Sequence, residues 1–326
     1  MVPLKQRPAA PAPPAPTLRV VEGGDALARR PSPLLPLLKS LVRVLPAGLP
    51  TWLYTSLLKP RPLRRWANGL LLRMIPESVE INGVTIVLNP ADPVVSSALA
   101  LGVYESFEAE LIARLVEPGS HALDVGANVG YYTALLARAV GPDGAVTAFE
   151  PEPGNFGVLG QTIRANGFGN VHAVRGAVSD SPGESFLFLS EQNGGDHRLY
   201  ATDGREKITV PILSIDTFLP PGQTVGFVKM DVQGSEGLAL RGMRETLRRS
   251  PDAQILLEFW PEGLTRAGTD PAELLTTLRD DLGFSLWEVD EAKHALVPVT
   301  DTAALIARNP GRRYTNLYCS RGGHPL

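Results

Sequence analysis

One stretch constrains this chain more than any other: "HALDVGANVGYYTALLARAVG", residues 121 to 141. A short apolar run ends in an acid, two glycines flank an Ala-Asn-Val stretch, and a long apolar run of helical spacing follows at once. Glycine is costly inside regular elements and is kept where backbone must turn sharply or approach something closely. The pattern predicts a strand, a tight turn and a helix, with a ligand near the turn. In open α/β sheets ligands sit outside the carboxyl ends of the strands, where strand order reverses.

The alternation continues on both sides. A hairpin is expected over "VEINGVTIVLN", because Asn82-Gly83 suits a type I′ turn. A helix around "YESFEAELIARLVEPG" precedes the first strand. After it come strand "GAVTAFE", helix "PGNFGVLGQTIRANG" and strand "VHAVRGAVS", then an insertion with strand-like "SFLFLS" and "KITVPIL". Strand "VGFVKMDV", helix "SEGLALRGMRETLRR", strand "AQILLEFW", helix "PAELLTTLRDDLG" and strands "SLWEVD" and "RYTNLYC" complete the chain. Short apolar strands separated by helices imply an α/β fold, a doubly wound, Rossmann-like, mostly parallel sheet.

Two cofactor classes compete for the first turn. A dinucleotide fingerprint requires G-x-G-x-x-G, and counting from Gly126 its second and third glycine positions hold Asn128 and Tyr131. A nicotinamide-dependent oxidoreductase is therefore the weaker reading. Asp124 two places before Gly126 would repel a pyrophosphate but attract a cationic, amine-bearing cofactor. S-adenosylmethionine, with its sulfonium and ammonium, is such a ligand. Gly126 and Gly130 are expected to bring backbone N–H groups near it. Glu150, closing strand "AVTAFE", suits the ribose hydroxyls, leaving Ala177 and Val178 to border the adenine.

The blocks "LDVGANVGYYT", "FEPEPGNFGVLGQTIRANG", "AVSDSPGE", "ITVPILSIDTFL" and "FVKMDVQGSEGLALRGM" together resemble the FkbM family of S-adenosylmethionine-dependent methyltransferases. The upstream "LNPADPVVSSALALGVYESFEAELI" is similar to that family's lead-in, so the resemblance spans roughly residues 77 to 290. It implies a methyltransferase sheet and a cofactor site lined by Asp124, Gly126, Asn128, Gly130 and Glu150, bordered by Asn155 and Ala177. It also implies a wall at Tyr104 and Glu105. One departure stands out: Gln233 occupies a position where the family usually carries an acid. The implied activity is O-methylation of a hydroxyl on a sugar, glycolipid or polyketide-like molecule, with a catalytically silent adapter as the non-enzymatic rival.

Methyl transfer to oxygen is an in-line displacement that gains from a general base or from a metal that lowers the hydroxyl pKa. Lys229 and Asp231 are two apart on one strand and so share a side of the sheet. Asp231 is a candidate base or metal ligand; its rival roles are an ion pair with Lys229 and a cap on the following helix. Glu236 is either an acceptor-site acid or a first-turn acid favoured by the helix dipole. Glu258, ending "ILLEFW", faces the acceptor, a metal or a structural partner. His197 is a lid histidine, read as solvated rather than as a base. The His and Cys content leaves only an oxygen-ligated cation such as magnesium as an expected metal.

The remaining features concern the ends of the chain and its surroundings. Residues 1–33 are rich in Pro and Ala and are read as a disordered tail. Residues 34–76 read as short, proline-broken amphipathic helices, and residues 77–326 as the catalytic domain. Between Ala26 and Pro76 there are nine basic residues and no acid, which leaves the rest of the chain at −12 against a total of −3. Interleaved with Leu, Trp52, Tyr54 and Trp66, they suit either a helical cap with a solvated basic face or peripheral contact with an anionic membrane. The net charge argues against a nucleic-acid partner. Cys319, the only cysteine, reads as a core residue, and with no secretory apolar region at the N-terminus a cytoplasmic location is expected.

Overall fold

The computed structural model describes residues 76–101, 106–191 and 193–322. The Pro/Ala-rich tail, the basic segment up to residue 75, and Tyr104 and Glu105 lie outside the described residues.

The described residues open with the expected hairpin, β1 (Ser78–Ile81) and β2 (Val84–Val87). Asn82 and Gly83 both take positive φ, 50° and 71°, the turn geometry whose twist matches its flanking strands. Helix α1 (Pro93–Leu101) follows, its first amides held by Asp92, whose Oδ1 accepts from the N–H of Val94 and Val95 at 3.0 and 3.2 Å. Next come α2 (Ser106–Leu115), β3 (His121–Val125), α3 (Tyr131–Val140), β4 (Ala145–Phe149), α4 (Pro153–Ala165) and β5 (Val171–Val174). The insertion contributes β6 (Ala177–Val178), β7 (Gly183–Phe188) and β8 (Lys207–Leu213), which form a separate small sheet. Then follow α5 (Ile215–Phe218), β9 (Phe227–Met230), α6 (Glu236–Arg241), α7 (Arg244–Arg248) and β10 (Gln254–Phe259). The last elements are α8 (Pro261–Arg266), α9 (Pro271–Thr276), β11 (Ser285–Asp290), β12 (Ala295–Pro298), α10 (Thr302–Arg308) and β13 (Thr315–Ser320).

The large sheet runs β12, β11, β13, β10, β9, β3, β4, β5. From β5 to β10 all neighbours are parallel, whereas β13 lies antiparallel to both β10 and β11. The chain leaves β3 in one direction, through β4 to β5, and returns to build β9 and β10 in the other. The switch point is therefore the crevice between β3 and β9, where a ligand belongs in such a sheet.

Period-two alternation explains why the central strands are apolar throughout. Ala122, Phe227, Leu256 and Tyr318 face one core, built with α2, α3 and the hairpin. Their neighbours Leu123, Val228, Leu257 and Leu317 face a second core, built with α5 through α10. Cys319 is buried in that second core, as its sequence setting predicts.

Two expected elements are broken, each for a packing reason. "VHAVRGAVS" is not one strand. Gly176 packs against Leu213 and the Pro211 carbonyl, so the chain leaves the large sheet after β5 and pairs Ala177 and Val178 with β8. Helix "SEGLALRGMRETLRR" is two helices. At the break the Gly242 carbonyl accepts from Asp216 N–H and Ser214 Oγ at 2.8 and 3.0 Å, and a Cβ there would collide with the Ser179 carbonyl. Among the described residues, no helix is long and apolar enough to cross a membrane.

Candidate active site

The turn after β3 closes on the protein's own groups. Gly126 and Ala127 donate their N–H to the Phe149 carbonyl at 3.0 and 2.9 Å, Asn128 N–H goes to Glu150 Oε2 at 2.8 Å, and Gly130 N–H to the Ala127 carbonyl. This corrects the expectation that these amides face a ligand. Gly126, at φ 90°, is required because a Cβ would collide with the carbonyl of Asp231 on the neighbouring turn. Asn128 itself sits at φ 49°, and its buried Oδ1 has no hydrogen-bond partner. An orphaned acceptor of this kind is costly unless a ligand supplies a donor.

A crevice of about 310 Å³ opens beyond this turn, within the size range of small-molecule sites. Gly126, Asn128 and Glu150 line it at one end, with Ala177 and Val178 beside them and apolar Phe149, Leu187 and Leu199. Ala177 thus borders the crevice as expected, although from the small sheet. Glu150 uses Oε1 to accept from Glu152 N–H at 2.8 Å as well as Oε2 for Asn128, leaving further lone pairs on both oxygens. Burial pushes its carboxyl up to about 8, against the opposing pull of these two amides.

The other end of the crevice carries a polar row set by register. Asp124 lies opposite Lys229, and Met230 opposite Leu257, so that Asp231 and Glu258 meet just past the last paired residues. Gln233, in the turn after β9, ties them together. Its Nε2 donates to Asp231 Oδ1 at 2.7 Å and to Glu258 Oε1 at 3.2 Å. Lys229, Asp231, Gln233 and Glu258 all line the crevice, so the three residues expected to serve catalysis are brought together. Tyr314, 54% exposed, stands at the same end.

Lys229 has a partner that sequence reasoning missed. Its Nζ lies 3.5 Å from Glu108 Oε2 and 4.6 Å from the centre of the Tyr132 ring. Glu108 is fully buried, accepts from Tyr132 OH at 2.8 Å and from Asn316 Nδ2, and has its carboxyl raised by burial against the pull of Lys229. An acid on a lead-in helix gives no sign in the sequence that it will reach across to β9.

Four expected site residues stand behind the crevice rather than in it, Gly130 among them, turned toward Leu159 and Thr162. Asp124 is buried under the first turn, accepts from Thr133 Oγ1 at 2.5 Å, and is pushed up to about 6 by burial. Asn155 links two loops: Asn89 Nδ2 donates to its Oδ1 at 2.8 Å, and its Nδ2 donates to the Gly194 carbonyl at 3.0 Å. Glu236 is fully buried, and its Oε1 accepts from Val232 and Gly234 N–H at 3.1 and 3.2 Å. It is an anchor for the turn that presents Gln233, not an acceptor-site group, and burial pushes it up to about 7. The helix-cap reading of Asp231 also falls, since Ser235 holds the N-cap position of α6 and Asp231 is engaged by Gln233.

His197 is not a solvated loop residue. It lines the crevice, and its Nδ1 accepts from Ser190 N–H at 3.0 Å, which fixes the remaining proton on Nε2; burial lowers its pKa. For a divalent cation the donor set does not fit. Among the described residues no three His, Cys, Asp or Glu side chains are grouped to hold a metal ion, and the one pair of crevice carboxylates is bridged by an amide.

The chain is similar to known methyltransferases. A 44-residue stretch is 48% identical to a protein-L-isoaspartate O-methyltransferase of Triticum aestivum, covering 14% of this chain and 19% of that protein. Among solved structures, methyltransferase FkbM from Methylobacillus flagellatus KT is 16% identical, with 79% of this chain and 59% of that one covered at a TM-score of 0.39. A SAM-dependent methyltransferase from Aquifex aeolicus is 17% identical, with 66% and 88% covered at a TM-score of 0.36. The model of the Methyltransferase FkbM domain matches residues 124–286, from Asp124 near the end of β3 to Leu286 in β11 and so half of the chain. The chain belongs to the FkbM family of S-adenosylmethionine-dependent methyltransferases.

Proposed function

We propose that this methyltransferase acts on a hydroxyl of a polyhydroxylated acceptor: a sugar, a glycolipid headgroup or a polyketide-like molecule. The observation that carries the reading is the Asp231 and Glu258 pair, which lines the same crevice as Asn128 and Glu150. Carboxylates accept hydrogen bonds from hydroxyls and take up their protons, which is what an alcohol acceptor requires.

Asn128 and Glu150 would hold S-adenosylmethionine at the β3 end, with Ala177 and Val178 beside its base. When bound there, S-adenosylmethionine supplies a methyl group made electrophilic by its sulfonium. The unpartnered Oδ1 of Asn128 fits a cofactor rich in donors. At the β10 end Asp231 takes the hydroxyl proton and Glu258 orients a neighbouring hydroxyl. Lys229, paired with buried Glu108, lines the crevice beside them. Tyr314 offers the rim a flat, partly apolar face against which a sugar ring packs.

Incubation with radiolabelled S-adenosylmethionine and fractionated cell extract tests this. Label should enter a carbohydrate or glycolipid fraction as an ether that survives mild base. Label confined to base-labile esters on protein would overturn the hydroxyl reading.

A further inference from the structure

The crevice puts two carboxylates within reach of one nitrogen. Placed this close in a half-buried site, two anions repel, and one of them would be driven to hold a proton. Proteins usually relieve such a pair with a cation. Here the group between them is the Gln233 amide, whose nitrogen carries two hydrogens splayed in a plane, one for each acceptor. Both neighbours are acceptors, so the amide orientation is dictated by its surroundings.

The backbone is committed to this placement. Gln233 has φ 51°, a region that non-glycine residues avoid, and it is held there from both sides. The N–H groups before and after it, on Val232 and Gly234, are both taken by buried Glu236. Gly234 itself, at φ 100°, packs so closely on Gly263 that no side chain fits. The turn can hardly present residue 233 anywhere except into the crevice.

We propose that Gln233 is a positioning residue that stands in the place of a divalent cation: its neutral amide holds Asp231 and Glu258 side by side so that the pair works without a metal ion. The proposal rests on the reading of this pair as the acceptor-side machinery. Its physical content does not depend on which acceptor is used. A third carboxylate at position 233 would complete an oxygen-only cluster of the kind that manganese or magnesium takes.

The test titrates the full-length chain with MnCl₂ by calorimetry, in wild type and in Gln233→Glu, each with S-adenosylhomocysteine binding measured in parallel. Wild type should show no manganese uptake within the range titrated, and the variant should bind one equivalent with an affinity at least tenfold above that detection limit. Both should bind the nucleoside equally. Equal manganese uptake by the two proteins overturns the proposal, as does a variant that binds the nucleoside but gains no manganese. If the variant gains manganese while neither protein binds the nucleoside, the functional reading fails and this one stands.

A second variant decides the matter if Gln233→Glu does not fold. Gln233→Leu keeps the bulk and removes the bridge, so the acid limb of the kcat profile should move up by about one pH unit as the unbridged pair retains a proton. Gln233→Asn, which keeps the amide, should move it less. A Leu variant with lowered kcat and an unshifted profile would assign Gln233 a merely structural part.

Discussion

The turns after β3 and β9 are built alike and used differently. Each follows a central parallel strand, and each places an amide side chain at positive φ facing the crevice, Asn128 at 49° and Gln233 at 51°. Each is braced by an acid that accepts turn amides, Glu150 for the first and Glu236 for the second. The difference lies in what the amide has left over. Asn128 keeps a buried acceptor open, whereas Gln233 spends its donor on two carboxylates. A shared backbone device therefore yields one end suited to a donor-rich cofactor and another suited to proton transfer. The braces differ too: Glu150 lines the crevice, while Glu236 lies beneath its turn.

The two turns also touch, and the largest expected effect comes from breaking that contact. Gly126→Ala would force a Cβ into the Asp231 carbonyl and ask alanine to adopt φ 90°. A loss of more than about 3 kcal/mol is expected from backbone strain plus displacement of the second turn. Urea unfolding measures it. A loss under about 1 kcal/mol would mean that the turns are not rigidly apposed.

Asp231→Asn should separate chemistry from cofactor binding. The variant keeps the acceptor oxygen that Gln233 uses but removes the carboxylate proposed as the base. A fall in kcat of roughly 10²- to 10⁴-fold is expected, with S-adenosylhomocysteine affinity unchanged. Equal loss of both would place Asp231 in the cofactor half instead.

Asn128→Gly is the matching cut in the first turn. Glycine accepts the positive φ without strain, so stability should hold or rise, while loss of the open acceptor should weaken S-adenosylhomocysteine binding about tenfold. Unchanged affinity would show that the orphaned oxygen serves some other partner.

How much of this was legible in the sequence follows from range. The β3 turn, the hairpin at Asn82-Gly83 and the two-sided burial of the strands are local patterns of spacing, and they appear as read. Lys229, Asp231 and Glu258 were legible because acids and bases at the carboxyl ends of central strands converge in this topology. Glu108, Asn316 and Tyr314 were not, because their places depend on pairing across the fold and no local pattern encodes it. Glu236 and Asp124 misled for a different reason. A short polar residue beside a glycine turn can face the ligand or brace the turn, and only burial distinguishes the two. Gln233 was noticed as a missing charge, but its gain, a two-handed donor, required both neighbours to be in place.

The smallest effect concerns the braces and their protons. Burial raises Glu150 to about 8, Glu236 to about 7, and Asp92 and Asp124 to about 6. In each case the folded chain holds a proton that the unfolded chain releases at a lower pH, so this contribution to stability is lost as pH rises through the folded value. His121 and His197, both lowered by burial, act in the opposite sense below about pH 6.5. Above that pH the raised acids Glu236, Glu150 and Glu108 act in the same sense, and the melting temperature of the cofactor-free protein should fall by roughly a few degrees from pH 6.5 to 8. Glu236→Gln and Glu150→Gln should each flatten the slope. Saturating S-adenosylhomocysteine should alter only the part that belongs to Glu150, because that brace alone faces the crevice. A nucleoside effect that persists in Glu150→Gln and disappears in Glu236→Gln would reverse the roles assigned to the two turns.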